Sequence, residues 1–201
     1  GGDTTAGPLT ISLTLMAEVS GSEALQRNGA KPGDAIYVTG TLGDGAAALE
    51  MINSSDLTHS KRLLTRFYQP QPQIEAGMRL RNIATACIDI SDGLIADLGH
   101  ICMASGVRCN IQTELLPVHQ EIQQLWPEQT LDWALTGGDD YQLCFTVPSS
   151  HRQTVDQWIE SGDFDATMVG QILAPDSSNN LVIVDGDASP DIKRGFDHFS
   201  H

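Results

Sequence analysis

The sequence is poor in positive charge. It has 11 Lys and Arg residues against 26 Asp and Glu residues, which gives a formal net charge of −15. A surface with this charge repels DNA, RNA and anionic lipid, so we expect no nucleic-acid partner and no membrane partner. A small phosphorylated ligand is compatible with it only where divalent cations supply the positive charge that the protein lacks.

Features of secreted and membrane proteins are also missing. The four cysteines, Cys87, Cys102, Cys109 and Cys144, form no C-x-x-C pair, which predicts reduced thiols in a cytoplasmic protein. No apolar run approaches the roughly 20 residues that span a bilayer. The opening "GGDTTAGPLT" has no basic segment, no apolar signal segment and no Met, so we expect the chain to be part of a longer protein.

Short apolar runs alternate with turn residues along most of the chain. Alternating apolar residues predict a first strand over 9–20, and the polar segment 21–29 separates it from the rest. Further strands are predicted at 35–40, 85–91, 107–112, 141–148, 167–173 and 180–186. Helices are predicted at 41–53, 60–69, 70–84, 93–106, 117–126, 128–135 and 150–162, the first three covering one face of a sheet. Strands that mingle with helices without strict βαβ alternation predict an α+β fold, a mixed-sheet α/β sandwich.

Carboxylates are concentrated where a strand runs into a helix, in "CIDISDGLIADLGH" (87–100). Strand alternation places Asp89 and Ser91 on one face, and Asp92 falls at or near the N-cap of the helix, where free N–H groups favour anions. Asp89 and Asp92 could hold Mg²⁺ beside a phosphate, because Mg²⁺ prefers a few carboxylates with phosphate oxygens and water. The alternative is structural, since Ser-Asp-Gly also commonly begins a helix.

Glycines precede carboxylates at two other places. In "GGD" (1–3), Gly2 lets the backbone approach a ligand and Asp3 follows it, although an ordinary tight turn is the alternative. In "TGGDDYQLCF" (136–145), Asp139 and Asp140 are adjacent and repel each other unless they are exposed or bound to a cation or to hydrogen-bond donors. The alternative there is an acidic loop.

Two further residues suit a phosphorylated ligand with a flat ring. Arg27 lies in the polar segment 21–29 and could bind phosphate with two N–H groups, although an isolated arginine is also typical of a solvated surface. Phe196 follows Gly195 near the C-terminus and could stack on a heterocycle, although an aromatic residue there can also anchor the terminus.

Taken together, these stretches resemble the thiamine-monophosphate kinase family, of the superfamily that also holds aminoimidazole ribonucleotide synthetase. The resemblance runs through nearly the whole chain in "GGDTTAGPL", "GAKPGDAIYVTGTLGD", "ACIDISDGLIADLGHI", "ALTGGDDYQLCFTVP" and "GFDHF". It implies ATP-dependent phosphorylation of thiamine monophosphate to thiamine diphosphate, with Mg²⁺, in a cytoplasmic homodimer.

The resemblance also implies site residues and domains. By motif match, nucleotide contacts are expected at Gly2, Arg27 and Ser91, metal binding at Asp3, Asp89 and Asp92, and thiamine contacts at Asp139 and Phe196. The chain departs from the family where Asp139 and Gln142 replace the common "GGEDYEL" residues and Phe196 replaces a common tyrosine. Residues 1–20 are expected to be a remnant of the amino-terminal ATP-binding domain and 21–201 the C-terminal α+β domain, nearly inactive alone.

Two other functions remain open at this level. One is a different ATP-using enzyme of the superfamily that acts on a purine precursor, although "GGDDY" and "GFDHF" argue against it. The other is a non-catalytic domain on the same scaffold that binds thiamine phosphate without phosphoryl transfer. Assays with both substrates separate the first alternative, and calorimetry separates the second.

Overall fold

The structure is a computed structural model that describes residues 13–21, 23–54, 60–177 and 180–186. Within these ranges the strands are β1 (Ala35–Thr39), β2 (Ala86–Asp89), β3 (Arg108–Ile111), β4 (Leu143–Val147), β5 (Ala166–Leu173) and β6 (Val182–Val184). The α-helices there are α1 (Asp44–Asn53), α2 (Lys61–Tyr68), α3 (Ile74–Leu80), α4 (Leu94–Ser105), α5 (Gln120–Leu125), α6 (Thr130–Thr136) and α7 (Ser149–Glu160). A 3₁₀ turn lies at Thr113–Leu115.

The six strands form one mixed sheet in the order β2-β4-β1-β5-β3-β6. Neighbours are antiparallel except β3 and β6, which are parallel. β1 lies inside the sheet, and all five of its residues are buried because each of its faces is covered. Ile36 and Val38 belong to one apolar cluster, and Ala35 and Tyr37 belong to the other. The predicted mixed-sheet α+β fold is confirmed.

Helices cover both faces of the sheet. α4 and α6 pack on the face of Ile36 and Val38, where α4 buries residues at helical spacing such as Leu94, Leu98 and Ile101. α3 and α7 pack on the opposite face, around the stacked rings of Tyr37 and Phe145, whose centroids are 5.4 Å apart. Burial of large apolar side chains on both faces is the main source of stability for this sandwich.

The helices predicted over 41–84 do not cover one face together. α3 lies on the sheet, whereas α1 and α2 pack with α5 in a separate cluster whose buried members are Ala47, Ala48, Met51, Leu63 and Ile122. On α2, Leu63 is fully buried in this cluster and Leu64 and Phe67 are partly buried against it, so the apolar side of this helix faces the cluster. Its basic residues instead contact the first residue of α1, as described below.

The first predicted strand is not observed in its described part. Residues 13–20 form no strand, and the side chains of Leu13, Leu15 and Met16 are 83, 86 and 94% exposed. Within the described residues no strand pairs with this segment, and an unpaired strand has no partner for its backbone N–H and C=O groups. Residues 9–12 lie outside the described ranges.

The four cysteines form no disulfide in the structure. All four thiols are free and buried. Burial raises the pKa of Cys87 to about 12. Among the helices of the described ranges, none is both long and apolar enough to cross a membrane.

Candidate active site

The turn between β2 and α4 is held in place by a carboxylate that follows it. Asp97, in the first turn of α4, is buried, and its Oδ2 accepts hydrogen bonds from the backbone N–H of Ser91 at 2.9 Å and of Asp92 at 3.0 Å. Burial raises the pKa of Asp97, and these two donors offset part of the rise. The N-cap of α4 is Gly93, without a side-chain cap, so Asp92 precedes the cap and does not serve as one.

The 137–142 loop pairs with this turn through backbone hydrogen bonds. The N–H of Asp139 donates to the carbonyl of Ser91 at 3.0 Å, and the N–H of Tyr141 donates to the carbonyl of Ile90 at 2.8 Å. Gly138 permits the approach, because a Cβ there would lie 2.5 Å from the Ser91 carbonyl oxygen. Two distant motifs of the sequence therefore meet as one rigid structure, with Ser91 beside Asp139.

Tyr141 lies among the predicted carboxylates. Its hydroxyl donates a 2.8 Å hydrogen bond to Oδ1 of Asp139. This hydrogen bond, partial burial and the negative charges of Asp139, Asp89 and Asp92 together raise the pKa of Tyr141. The phenol therefore stays protonated at neutral pH. The three carboxylates assigned to metal and substrate are close enough to act on one hydroxyl group.

Asp140 faces the interior and explains how two adjacent aspartates coexist. Its carboxylate accepts hydrogen bonds from the N–H of Gly43 at 2.7 Å and of Gly45 at 3.0 Å, at the start of α1. α1 has no side-chain cap of its own, so Asp140 caps it from a distant part of the sequence. Asp139 is exposed, whereas Asp140 is only 3% exposed, which separates the two charges.

Burial raises the pKa of Asp140 to about 7. The charge of Asp44 adds to the rise, while the two N–H donors and Arg66 oppose it. In the unfolded chain the same carboxyl has its ordinary pKa of 3.8. Between these values the folded state binds more protons than the unfolded state, so Asp140 should make the free energy of unfolding fall as pH rises from about 4 to about 7.

Asp140→Asn tests this dependence on the 201-residue chain. Because other titrating groups are shared, the difference in unfolding free energy between wild type and variant isolates Asp140. Between about pH 4 and about pH 7 we expect the free energy of unfolding of the wild type to fall relative to that of the variant by up to about 1.4 kcal/mol per pH unit. Above about pH 7 the difference between the two proteins should no longer change with pH. Denaturant titrations at several pH values measure it, and parallel pH curves would show that Asp140 titrates normally.

An ion-pair network around the buried carboxylate of Asp44 fixes the start of α1 against α2. Arg62 binds both carboxylate oxygens of Asp44 at 2.9 Å, and Arg66 approaches the same carboxylate at 3.6 Å. Arg62 also donates to Glu121, which precedes Ile122 in α5. Sequence reasoning missed this network, although two arginines four residues apart on α2 are a visible sign of a shared acidic partner.

Arg27 and Asp89 line the same cleft. The segment that carries Arg27 runs along the edge strand β2, where the N–H of Cys87 donates to the carbonyl of Gln26 at 2.8 Å. Beside it lies an open cleft of about 540 Å³. Its walls are formed by Leu25, Arg27, Gln73, Ile74, Gly77, Cys87, Ile88, Asp89 and Leu143. Arg27 forms no ion pair within the part of the chain that the structure describes, so its guanidinium is available to an anion there.

The carboxylates of Asp89 and Asp92 are also available. Within the described ranges neither side chain makes a hydrogen bond or an ion pair. No group of three or more His, Cys, Asp or Glu residues suited to a metal occurs in those ranges, so these two do not form a complete protein cage. They do suit Mg²⁺, which takes one or two carboxylates and fills its octahedral shell with phosphate oxygens and water.

The structure thus brings five predicted site residues to one end of the sheet, namely Arg27, Asp89, Ser91, Asp92 and Asp139. The other three, Gly2, Asp3 and Phe196, lie outside the described residues. Gln142, one of the departures from the family pattern, is fully buried and its amide lies 2.9 Å from Oγ1 of Thr39. Its side chain therefore lies in the interior against β1 and not among the exposed site residues.

Known proteins are similar to this chain in sequence and in fold. Residues 31–180 match the family described as AIR synthase related protein, C-terminal domain. A curated thiamine-monophosphate kinase of Escherichia coli (strain K12) is 43% identical over all of this chain and 63% of its own length. The chain therefore spans less than two thirds of that relative.

Solved structures of similar proteins have the same fold as this chain. The crystal structure of thiamine-monophosphate kinase from Stenotrophomonas maltophilia K279a is 38% identical, with a TM-score of 0.76 over 83% of this chain and 54% of that one. AaThiL complexed with AMPPCP and TMP is 32% identical, with a TM-score of 0.74 over 87% of this chain and 54% of that one. With the family match over 150 of its 201 residues, the chain belongs to the AIR synthase related proteins, of which it has the C-terminal domain.

Proposed function

We propose that this chain is the C-terminal part of a thiamine-monophosphate kinase, which phosphorylates thiamine monophosphate with ATP to give thiamine diphosphate. The observation that carries the proposal is the convergence of Arg27, Asp89, Asp92 and Asp139 at one end of the sheet. It is supported by the 43% identity to the Escherichia coli thiamine-monophosphate kinase and by the likeness to AaThiL complexed with AMPPCP and TMP. These relatives favour thiamine monophosphate over a purine precursor.

Each candidate residue has a role in this proposal. Arg27 suits a phosphate group of the nucleotide, because a guanidinium in an otherwise acidic protein can donate two N–H groups to it. Ser91 lies in the turn between β2 and α4 and is assigned a further contact to the nucleotide. Asp139, exposed and negatively charged, suits the cationic thiamine moiety. Gly2 is assigned to the nucleotide, Asp3 to metal and Phe196 to thiamine by motif match.

Asp89 and Asp92 would hold Mg²⁺, together with Asp3. Bound there, Mg²⁺ neutralises phosphate charge and polarises the phosphoryl oxygens. The two carboxylates suit this role because no hydrogen bond or ion pair within the described residues occupies them. A protein with a net charge of −15 needs such cations before two phosphorylated molecules can approach each other on its surface.

The chemistry requires positioning more than a protein base. The attacking atom is an oxygen of the substrate's own phosphate, which is already ionised at neutral pH. The chain therefore has to hold the two reactants in line, and the proposal gives Arg27 in the cleft to a phosphate and Asp139 of the 137–142 loop to the thiamine end of the substrate. The hydrogen bonds that join the loop to Ser91 and Ile90 keep that arrangement rigid.

The complete enzyme is proposed to be a cytoplasmic homodimer that contains an amino-terminal ATP-binding domain before residue 21. In that protein, called here the two-domain protein, residues 1–20 belong to the first domain and 21–201 to the second. The described chain would then contribute only part of the nucleotide site and be nearly inactive alone.

Coupled measurement of ADP release tests the proposal in the two-domain protein. We expect turnover with thiamine monophosphate, no turnover with a ribonucleotide precursor of purines, and loss of activity and nucleotide binding when EDTA removes divalent cations. The 201-residue chain is the control and should be nearly inactive. Binding of thiamine monophosphate in calorimetry without ADP release would favour a binding domain instead, and nucleotide binding that survives EDTA would contradict the metal assignment.

A further inference from the structure

The side chains of residues 139 to 141 alternate between the surface and the interior: Asp139 and Tyr141 are exposed, and Asp140 is buried. The inner carboxylate of Asp140 is fixed by the N–H groups of Gly43 and Gly45. Its neighbours Asp139 and Tyr141 are therefore left on the exposed side, where Tyr141 is 41% exposed. The pair lies beside Asp89 and Asp92, whose charges act on the same hydroxyl group.

The backbone of this pair is held in an uncommon conformation. Asp139 has φ of 64° and Tyr141 has φ of 51°, in the left-handed region that a bulky aromatic residue seldom adopts. The backbone hydrogen bonds to Ser91 and Ile90 maintain it without help from the phenol. The Tyr141 hydroxyl is thus not required for the loop conformation, and its hydrogen bond to Asp139 has another consequence.

That consequence is the orientation of the Asp139 carboxylate. The hydroxyl donates to Oδ1 at 2.8 Å and so restricts rotation of the carboxylate. Oδ2 has no hydrogen-bond partner within the described residues. An exposed aspartate would otherwise sample several rotamers and lose conformational entropy on binding a ligand. Oδ1 is fixed by the protein. Oδ2 remains free to accept a hydrogen bond from a ligand or to attract a positive charge on it.

We propose that Tyr141 is a positioning residue, whose hydroxyl holds Asp139 so that its free oxygen attracts the positive charge on the heterocycle of the substrate. The inference rests on the proposed function, because it assigns that oxygen to the thiamine end of thiamine monophosphate. It adds a residue that selects the acceptor substrate and has no part in nucleotide or metal binding. Its effect on catalysis passes entirely through Asp139.

Tyr141→Phe in the two-domain protein removes only the hydroxyl. We expect the KM for thiamine monophosphate to rise about tenfold, because a hydrogen bond to a charged group is lost, while the KM for ATP and the Mg²⁺ dependence stay unchanged. Asp139→Asn should produce a similar or larger rise. In the double variant Tyr141→Phe/Asp139→Asn, the loss of the hydroxyl should add nothing further, because the two residues act as one unit.

Tyr68→Phe is the matched control. Tyr68, at the end of α2, is 66% exposed and its hydroxyl makes no hydrogen bond within the described residues, so this variant should behave as wild type. Melting temperatures establish that all variants fold. Equal effects on both KM values, an unchanged KM in Tyr141→Phe, or additive losses in the double variant would overturn the inference while leaving the proposed function standing. Absence of turnover in the wild-type protein would overturn the proposed function and this inference with it.

Discussion

Asp89→Asn in the two-domain protein is expected to lower kcat by about 100-fold and to raise the Mg²⁺ concentration needed for half-maximal activity. The fold-change corresponds to about 2.7 kcal/mol of lost transition-state stabilisation, within what a bound metal supplies to phosphoryl transfer. The reason is electrostatic. The Asp89 carboxylate shares the cleft with Arg27, and an amide of the same size keeps the shape but loses the charge that attracts the cation.

Stability should hardly change in this variant. Asp89 is exposed at the last position of β2, and its side chain supports no other described residue. Asp165→Asn is the matched control, because Asp165 is also exposed and its side chain also makes no hydrogen bond or ion pair in the described ranges. Steady-state kinetics across a Mg²⁺ titration measure the effect. Unchanged kinetics in Asp89→Asn would remove Asp89 from the metal site.

Gly45→Ala should destabilise the 201-residue chain by about 3 kcal/mol, although alanine normally favours a helix. Gly45 lies in the first turn of α1, and a Cβ there would lie 2.4 Å from the carbonyl oxygen of Gly138 and 2.9 Å from the carbonyl carbon of Asp139. Both atoms belong to backbone that is already hydrogen-bonded to the β2–α4 turn, so the clash cannot relax by a side-chain rotation. The same displacement would move Asp139.

Gly77→Ala makes the same chemical change as Gly45→Ala, but we expect it to stabilise the chain. Gly77 lies inside α3, and the nearest atom to an added Cβ is Cδ1 of Leu143 at 3.9 Å, an ordinary contact. This variant should gain about 0.5 to 1 kcal/mol, because alanine loses less backbone entropy than glycine. Denaturant unfolding of both variants measures the difference. Equal changes in the two would show that the approach of Gly138 to α1 is not tight.

Local sequence patterns predict most of the elements. The unbroken apolar run of β1 is typical of a strand buried on both faces, and the helix over 93–106 ends at Gly106, which has φ of 66° as a left-handed cap should. The prediction of a strand over 9–20 rests on alternation alone. Alternation identifies a segment that can pair, but a strand forms only where a partner is present, and none pairs with residues 13–20 within the described chain.

The arrangement of the site depends on contacts that no local pattern contains. Nothing in "GGDD" distinguishes an exposed Asp139 from a buried Asp140. Asp140 is the buried one because its carboxylate accepts hydrogen bonds from the N–H groups of Gly43 and Gly45, which are 97 and 95 residues away in the sequence. The motifs correctly identify the carboxylates of the β2–α4 turn. They do not reveal that Asp97 holds this turn, since that role depends on the chain bend at Gly93.

The buried cysteines make unfolding chemically detectable. Cys102, Cys109 and Cys144 are completely inaccessible, and Cys87 is 8% exposed at the wall of the cleft. The thiolate is the nucleophile that attacks an alkylating reagent, so folded molecules should remain unmodified, while global unfolding exposes all four sulfurs. The number of adducts in a mass spectrum therefore separates global unfolding, with four, from local opening at the cleft, with one on Cys87.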